Sequence, residues 1–386
     1  QQPFQQGASP QSWLSSAVSW LAGSLSTERP DSLLGDLVVN GVVGGVGSVI
    51  VFLPNIMILF LGISFLEDSG YMARAAFLMD RLMHALGLHG KSFIPMLMGF
   101  GCSVPAIMAT RTLESKRDRV MTTLLVPLMS CSARLPVYVL IAGAFFAERA
   151  GSVVFLIYVV GIVAAMLVGR LFAKTLFRSS PAPFVMELPP YRLPTSKGLI
   201  IHMWERGKVY LQKMGGVILV ASIILWFLGA FPRDSETIET YESNMAALRA
   251  AGTVESTAAA DALDTELQAQ LIEDSYIGRA GKALYPVVKP LGLSWEMGVS
   301  LITGFVAKEV VVSTLGVLYH VDATATNGEG SLTAALRSPA SGITPLGGFA
   351  FMLFVLLYTP CIVAVTAIKR EVGTGWMAFS VGYQMV

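Results

Sequence analysis

Three cysteines, Cys102, Cys131 and Cys361, each lie close to a proline in an apolar stretch: GFGCSVP at 99–105, SCSARLP at 130–136 and YTPC at 358–361. Glycine and proline inside a membrane-length helix release backbone groups that only a cavity or a neighbouring chain can satisfy. A thiol placed at such a break is a soft ligand for a passing metal ion. Around Cys102, Gly99 and Gly101 loosen one helix and Pro105 suits the first turn of the next, which predicts Cys102 at a helix N-terminus. Fe(II) accepts thiolate, imidazole and carboxylate, whereas Na(I) and Mg(II) gain little from sulfur. One buried cysteine is most often a small hydrophobe; three out of three at helix breaks point to a metal path. Ser103 and Ser132 flank the thiols and could add oxygen, although serines there commonly bond back to helix carbonyls.

Ionisable groups inside apolar runs are the next candidates, because a charge at mid-bilayer costs several kcal/mol unless it faces a cavity or a partner. Glu67 and Glu309 are read as hard oxygen ligands or proton acceptors on the path, and Arg134 as a structural counter-charge. The competing reading is a bracing ion pair for Arg134 and Lys308, and an interfacial pair for Glu67 with Asp68. Met96, Met98, Met108 and Met129 crowd the cysteine segments, but thioether suits Cu(I) better than Fe(II), so packing is their expected role. His84 and His89 fall in a polar connection and are read as solvated.

The elements that must position these residues are membrane spans. The chain has 386 residues, 54% hydrophobic and 14% charged, against about 25% charged in an ordinary soluble domain. A net charge of +1 gives no sign of a nucleic-acid partner. Three cysteines do not make a disulfide framework, and no cleavable signal peptide is visible at the start. Runs at 37–66, 92–110, 120–147, 150–169, 214–232, 297–319, 338–368 and 372–386 are uncharged or nearly so. They predict an all-α, polytopic membrane helix bundle of about eight spans with broken or re-entrant helices.

Loop charge predicts the orientation. Residues 170–213 carry eight Lys or Arg against Glu187 and Glu205 and are expected in the cytoplasm; residues 233–296 carry eleven acidic and five basic groups and are expected outside, as a small helical hairpin. Both termini then fall on the cytoplasmic side. Segments 11–25 and 199–212 are amphipathic and suit the headgroup level or the surface of the bundle.

The ordered runs FLEDSGYMARAAFLMDRLM (65–83), GFGCSVPAIMATRTLE (99–114), MSCSARLPVY (129–138), WERGKVYLQK (204–213), GFVAKEVVVSTLG (304–316) and YTPC (358–361) resemble the membrane domain of the prokaryotic ferrous iron transport protein B family, FeoB, from about residue 38 onward. The resemblance implies a Gate-type inverted repeat. It divides the chain into a linker with an interfacial helix (1–40), a first Gate half (41–176), a cytoplasmic interfacial elbow (177–213) and a second Gate half (214–386) with an external insertion (233–296). Within the sequence, Gly99-Phe100 echoes Gly304-Phe305, and Cys131 after Pro127 loosely echoes Cys361 after Pro360.

The resemblance further implies inward Fe(II) transport across the cytoplasmic membrane along Cys and carboxylate ligands. GTP and Mg would act only on a cytoplasmic domain outside this chain, since no Gly-x-x-x-x-Gly-Lys-Ser/Thr loop occurs here. Partners would be membrane lipid, small cytoplasmic accessory proteins and a possible second copy of the chain, with no nucleic acid. No enzyme activity is expected in this chain. The alternatives are a Gate-fold carrier of a nucleoside or organic anion, a copper or zinc carrier, and an intramembrane Cys or Ser enzyme, which would need a base near its nucleophile; no histidine lies inside a span.

Overall fold

The computed structural model describes residues 44–177, 190–232, 235–250, 269–319, 328–338, 341–358 and 360–385, with a few isolated positions at 259–267. Segment 11–25 and most of the hairpin expected after residue 250 lie outside the described residues. Among those described, every regular element is helical. In chain order they are α1 (Gly44–Asp68), α2 (Tyr71–Ala85), α3 (Phe93–Gly99), α4 (Ser103–Ala109), α5 (Lys116–Leu125), α6 (Leu135–Phe145), α7 (Ala150–Thr175) and α8 (Ser196–Ala230). Next come α9 (Ser235–Ala250), α10 (Tyr276–Val288), α11 (Trp295–Val306), α12 (Val310–Leu318), α13 (Gly328–Arg337), α14 (Pro345–Leu357), α15 (Ile362–Val372) and α16 (Thr374–Met385).

Three helical runs among the described residues are long and apolar enough to cross a membrane: Lys116–Phe145, Ala147–Thr175 and Pro345–Val372. Two bent pairs, α1 with α2 at 80° and the two parts of α8 at 42°, raise this to five if each pair counts as one span. The expected runs at 92–110 and 297–319 are each split into two half-helices. At 1.5 Å per residue the seven-residue halves α3 and α4 reach only about 10 Å, so such a pair enters the bilayer as a broken element. The amphipathic 199–212 segment continues without interruption into the following apolar run as α8, and the bend falls at Lys213–Gly215, beside two glycines that weaken a helix.

The chain packs as two units. The first comprises residues 1–131, 162–226 and 362–386. In it α4 packs on α15, and α15 packs on α5 and α16. Gly70 at φ 77° makes the sharp corner between α1 and α2, a left-handed conformation that suits a residue without Cβ. Arginines close the helix ends: Arg117 donates to the carbonyls of Gly87 (3.2 Å) and Phe177 (3.1 Å), and Arg170 to that of Ala85 (3.0 Å). These bonds satisfy carbonyls that a helix C-terminus leaves without an intrahelical partner.

The second unit comprises residues 132–161 and 227–361. Its core is built on α6, which packs against α12, α13 and α14, and buries Tyr138, Ile141, Met297, Leu315, Phe351 and Val355 completely. Ser275, Ser294 and Thr344 cap α10, α11 and α14 by accepting from the amides of Gly278, Met297 and Gly347. The long helix α7 has the opposite character: Phe155 is 72% exposed and Leu167 65%. Large apolar side chains left uncovered along a membrane-length helix are what a lipid-facing span requires, since hydrocarbon solvates them.

Candidate functional site

The four helix breaks that the sequence places near its glycines and cysteines occur as one crossed pair in each unit. In the first unit α3 ends at Gly99, the amides of Gly101 and Cys102 both reach back to the Met98 carbonyl (3.0 and 3.1 Å), and Cys102 is fully extended at φ −151°, ψ 129° before α4 begins. The neighbouring break comes after the turn Val126–Leu128, where Met129 is extended (φ −71°, ψ 128°) and leads to Ser130 and Cys131. A Cβ added to Gly99 would stand 3.0 Å from the Cβ of Met129. The glycine is what lets the two breaks approach.

The second unit repeats this geometry. Helix α11 ends at Val306, Ala307 is extended at φ −146°, ψ 126°, and α12 begins after Lys308 and Glu309. Its partner is the break after α14, where Tyr358 (φ −70°, ψ 163°) leads to Pro360 and Cys361. A Cβ on Gly304 would stand 2.4 Å from Val311 Cγ2 on α12 and 3.0 Å from the Tyr358 hydroxyl. Gly99-Phe100-Gly101-Cys102 therefore corresponds to Gly304-Phe305-Val306-Ala307, with the dihedrals of Cys102 and Ala307 agreeing to 5° in φ and 3° in ψ. The Gly99 and Gly304 echo in the sequence is a local structural repeat, and the residue opposite the glycine is Met129 in one unit and Tyr358 in the other.

Tyr358 holds the second crossing together. Its hydroxyl donates to the Leu301 carbonyl at 3.3 Å, its ring stacks on Phe354 with centroids 5.4 Å apart, and the Lys308 ammonium lies 3.1 Å from its ring centroid. Lys308 is 3% exposed. The sequence reading gives Lys308 only a bracing role and does not single out Tyr358; aligning the two Gly-Phe patterns is a signal for Lys308, because it sets Lys308 opposite Ser103.

None of the three cysteines is disulfide-bonded, and each is partly accessible. Ser103 is buried, directly after Cys102, while Ser132 is exposed. Glu309 is partly buried and occupies the residue before α12. Arg134 is buried at the start of α6. Glu67 lies apart from the breaks, at the exposed end of α1, where its Oε2 accepts from Arg206 at 2.6 Å; the adjacent Asp68 faces His202 at 3.4 Å. Among the described residues, no three or more His, Cys, Asp or Glu side chains converge as a metal cage.

The first unit also holds a cavity of about 640 Å³. Met98 and Pro105, which bracket the Cys102 break, form part of its wall together with Met72 and Met108, and Glu67, Lys91, Glu205 and Arg206 add charge. Beside it, the loop after α4 carries two ion pairs. Lys91 meets Glu114 at 2.7 Å, which holds the Glu114 carboxyl below the ordinary carboxylate range. Arg111 meets Glu371, whose carboxylate holds the guanidinium above its ordinary value.

The model of the Gate family, described as nucleoside recognition, matches residues 49–145 and 211–375, and that of the ferrous iron transport protein B C terminus matches residues 154–206. The chain is 52% identical, over 98% of its length and 46% of the relative's, to an Fe(2+) transport protein A/Fe(2+) transporter FeoB fusion protein of Porphyromonas gingivalis. It is 41% identical to the Fe(2+) transporter FeoB of Campylobacter jejuni, over 96% of the chain and 56% of the relative, and 39% identical to that of Methanocaldococcus jannaschii, over 96% and 51%. The chain thus spans about half the length of the curated relatives it matches. No solved structure matches it.

Proposed function

From the premise that the chain belongs to the Gate family and is the membrane part of a ferrous iron transport protein B, we propose that it carries Fe(II) inward across the cytoplasmic membrane along ligands set at its helix breaks. The observation that carries this reading is Cys102: a thiol on fully extended backbone between two half-helices, crossed by the Met129–Cys131 break. Non-helical backbone at membrane depth is tolerated where it lines a cavity or is buried in protein, and there carbonyls, hydroxyls and sulfur can replace part of an ion's hydration. Cys102, Cys131 and Cys361 are the soft ligands in this reading, Ser103 and Ser132 neutral oxygen donors, and Glu67 and Glu309 hard oxygen donors near the cavity and at the second crossing.

The longer relatives support a chain that works with further parts. A cytoplasmic GTP- and Mg-dependent domain outside this chain would regulate or drive transport. The fused Fe(2+) transport protein A of the Porphyromonas relative supports a small accessory protein as partner, and a homo-oligomer is compatible with the same reading. The basic 170–213 segment is assigned to the cytoplasm and the acidic 233–296 segment to the outside, with both termini inside. The sequential Gate halves 41–176 and 214–386 each contribute one crossing glycine, Gly99 and Gly304.

Two other substrates have a specific observation behind them. Met72, Met98 and Met108 on the cavity wall would suit Cu(I). The Gate description and a cavity of about 640 Å³ would suit a nucleoside. The deciding experiment is uptake into proteoliposomes or cells by the full-length protein, with Fe(II), Zn(II), Cu(I) and a nucleoside in competition. Fe(II) uptake that falls at least tenfold in Cys102→Ser, at matched expression, is the expected result; Fe(II) uptake unaltered in both Cys102→Ser and Cys131→Ser would overturn the thiol path.

A further inference from the structure

We propose that Lys308 is a built-in cation, its ammonium filling at the second crossing the position that the transported ion takes beside Cys102 at the first. The inference deepens the Fe(II) reading and rests on it. The two crossings share the Gly-Phe entry, the extended residue, and a glycine that a side chain from the other break approaches, Met129 at Gly99 and the Tyr358 hydroxyl at Gly304. They differ in the side chains at the extended residue and its successor. The first presents Cys102 and Ser103, a thiol that binds metal as thiolate and a hydroxyl oxygen, both able to receive an ion. The second presents Ala307 and Lys308: a methyl group replaces the sulfur, and an ammonium replaces the hydroxyl.

The surroundings of Lys308 are those of a bound cation. The ammonium is 3.1 Å from the Tyr358 ring centroid, well inside the distance of about 6 Å at which a ring face attracts a cation. Lys308 is 3% exposed, so the attraction acts with little water between the partners. A methionine or leucine could fill comparable volume without burying a charge, which is costly in a membrane protein. A lysine retained there is explained if the crossing is a cation position that the chain itself occupies. The repeat would otherwise create two equivalent resting positions for the ion; Lys308 leaves one to be loaded from solution, and Cys361 and Glu309 meet the ion only in transit.

The test is a Co(II) titration of the full-length protein in nanodiscs, monitored by the thiolate-to-cobalt absorption band. Wild type is expected to take a single Co(II) with a band that disappears in Cys102→Ser. The Ala307→Cys/Lys308→Ser double variant, which rebuilds the second crossing as a copy of the first, is expected to take one more, with roughly twice the absorbance; Lys308→Arg is expected to keep the wild-type stoichiometry. A folded double variant with wild-type stoichiometry overturns the inference while leaving the Fe(II) reading intact. A wild type without any Cys102-dependent band removes Cys102 as the ligand and takes this inference with it.

If the double variant does not fold, Lys308→Ala decides. Its melting temperature should recover with ethylammonium and not with propanol. Equal recovery with the two would make Lys308 packing material and overturn the inference.

Discussion

Arg111 grips Glu371 at two points, Nε to Oε2 at 2.6 Å and Nη2 to Oε1 at 2.5 Å, and so joins the turn after α4 to the last turn of α15. These are the half-helices that come after Cys102 and Cys361, and α4 and α15 also pack on each other. The Glu371 side chain is 4% exposed, whereas Arg111 is 48% exposed. A two-point guanidinium–carboxylate pair with one buried end is stronger than an ordinary surface pair. Removing Arg111 leaves the buried Glu371 carboxylate poorly solvated, at a cost of about 1–3 kcal/mol. Arg111→Gln is therefore expected to lower the melting temperature, and the exchange Arg111→Glu/Glu371→Arg to recover part of the loss. A single variant that melts with wild type would dissolve the link.

The two crossing glycines should respond unequally to alanine. At Gly99 the tightest contact of the new Cβ is the Cβ of Met129 at 3.0 Å, which a few tenths of an ångström relieve, for about 1 kcal/mol. At Gly304 it would stand 2.4 Å from Val311 Cγ2 and 3.0 Å from the Tyr358 hydroxyl, so Val311 must shift and the Tyr358 hydroxyl must give by a few tenths of an ångström. Overpacking of this kind costs about 1–3 kcal/mol. Thermal unfolding of the two variants checks the order; Gly304→Ala as stable as Gly99→Ala would contradict the second crossing.

Loop charge sets the expected sidedness. In intact cells an impermeant thiol reagent should modify a cysteine placed at Ala259 and spare one placed at Ser196. The opposite labelling pattern would invert the assigned orientation.

The Lys91–Glu114 pair gives a pH dependence of definite sign. Hydrogen bonding to Lys91 lowers the Glu114 pKa in the folded protein, so the folded state binds this proton less readily than the unfolded state. Its contribution is present above the ordinary glutamate value, about 4.3, and is lost as pH falls through the lower folded value. Glu114 is fully solvated, so the effect is small. Melting curves from pH 6 to 3 should show a slightly steeper acid decline in wild type than in Glu114→Gln; identical profiles would mean that the pair does not form in solution.

The membrane class, the helical architecture and the breaks at the cysteine and Gly304 segments were legible in the sequence, whereas the corner at Gly70 and the bend at 213–215 were not. The former depend on composition and local chemistry: uncharged runs of spanning length, and Gly or Pro within a few residues of each cysteine. The pairing of Gly99-Phe100 with Gly304-Phe305 was legible too, because a residue that must admit a close neighbour has to be small in both copies. Which break crosses which emerged only from the folded chain. Gly99 opposes Met129, and Gly304 opposes Tyr358, across separations of 30 and 54 residues that no local pattern encodes. The same holds for the ionisable groups. Glu67 ends one apolar run and Lys308 interrupts another, yet one ends in an exposed pair with Arg206 and the other beneath the ring of Tyr358. A side chain's type limits the partners it can accept, whereas burial and the packing of distant segments select among them.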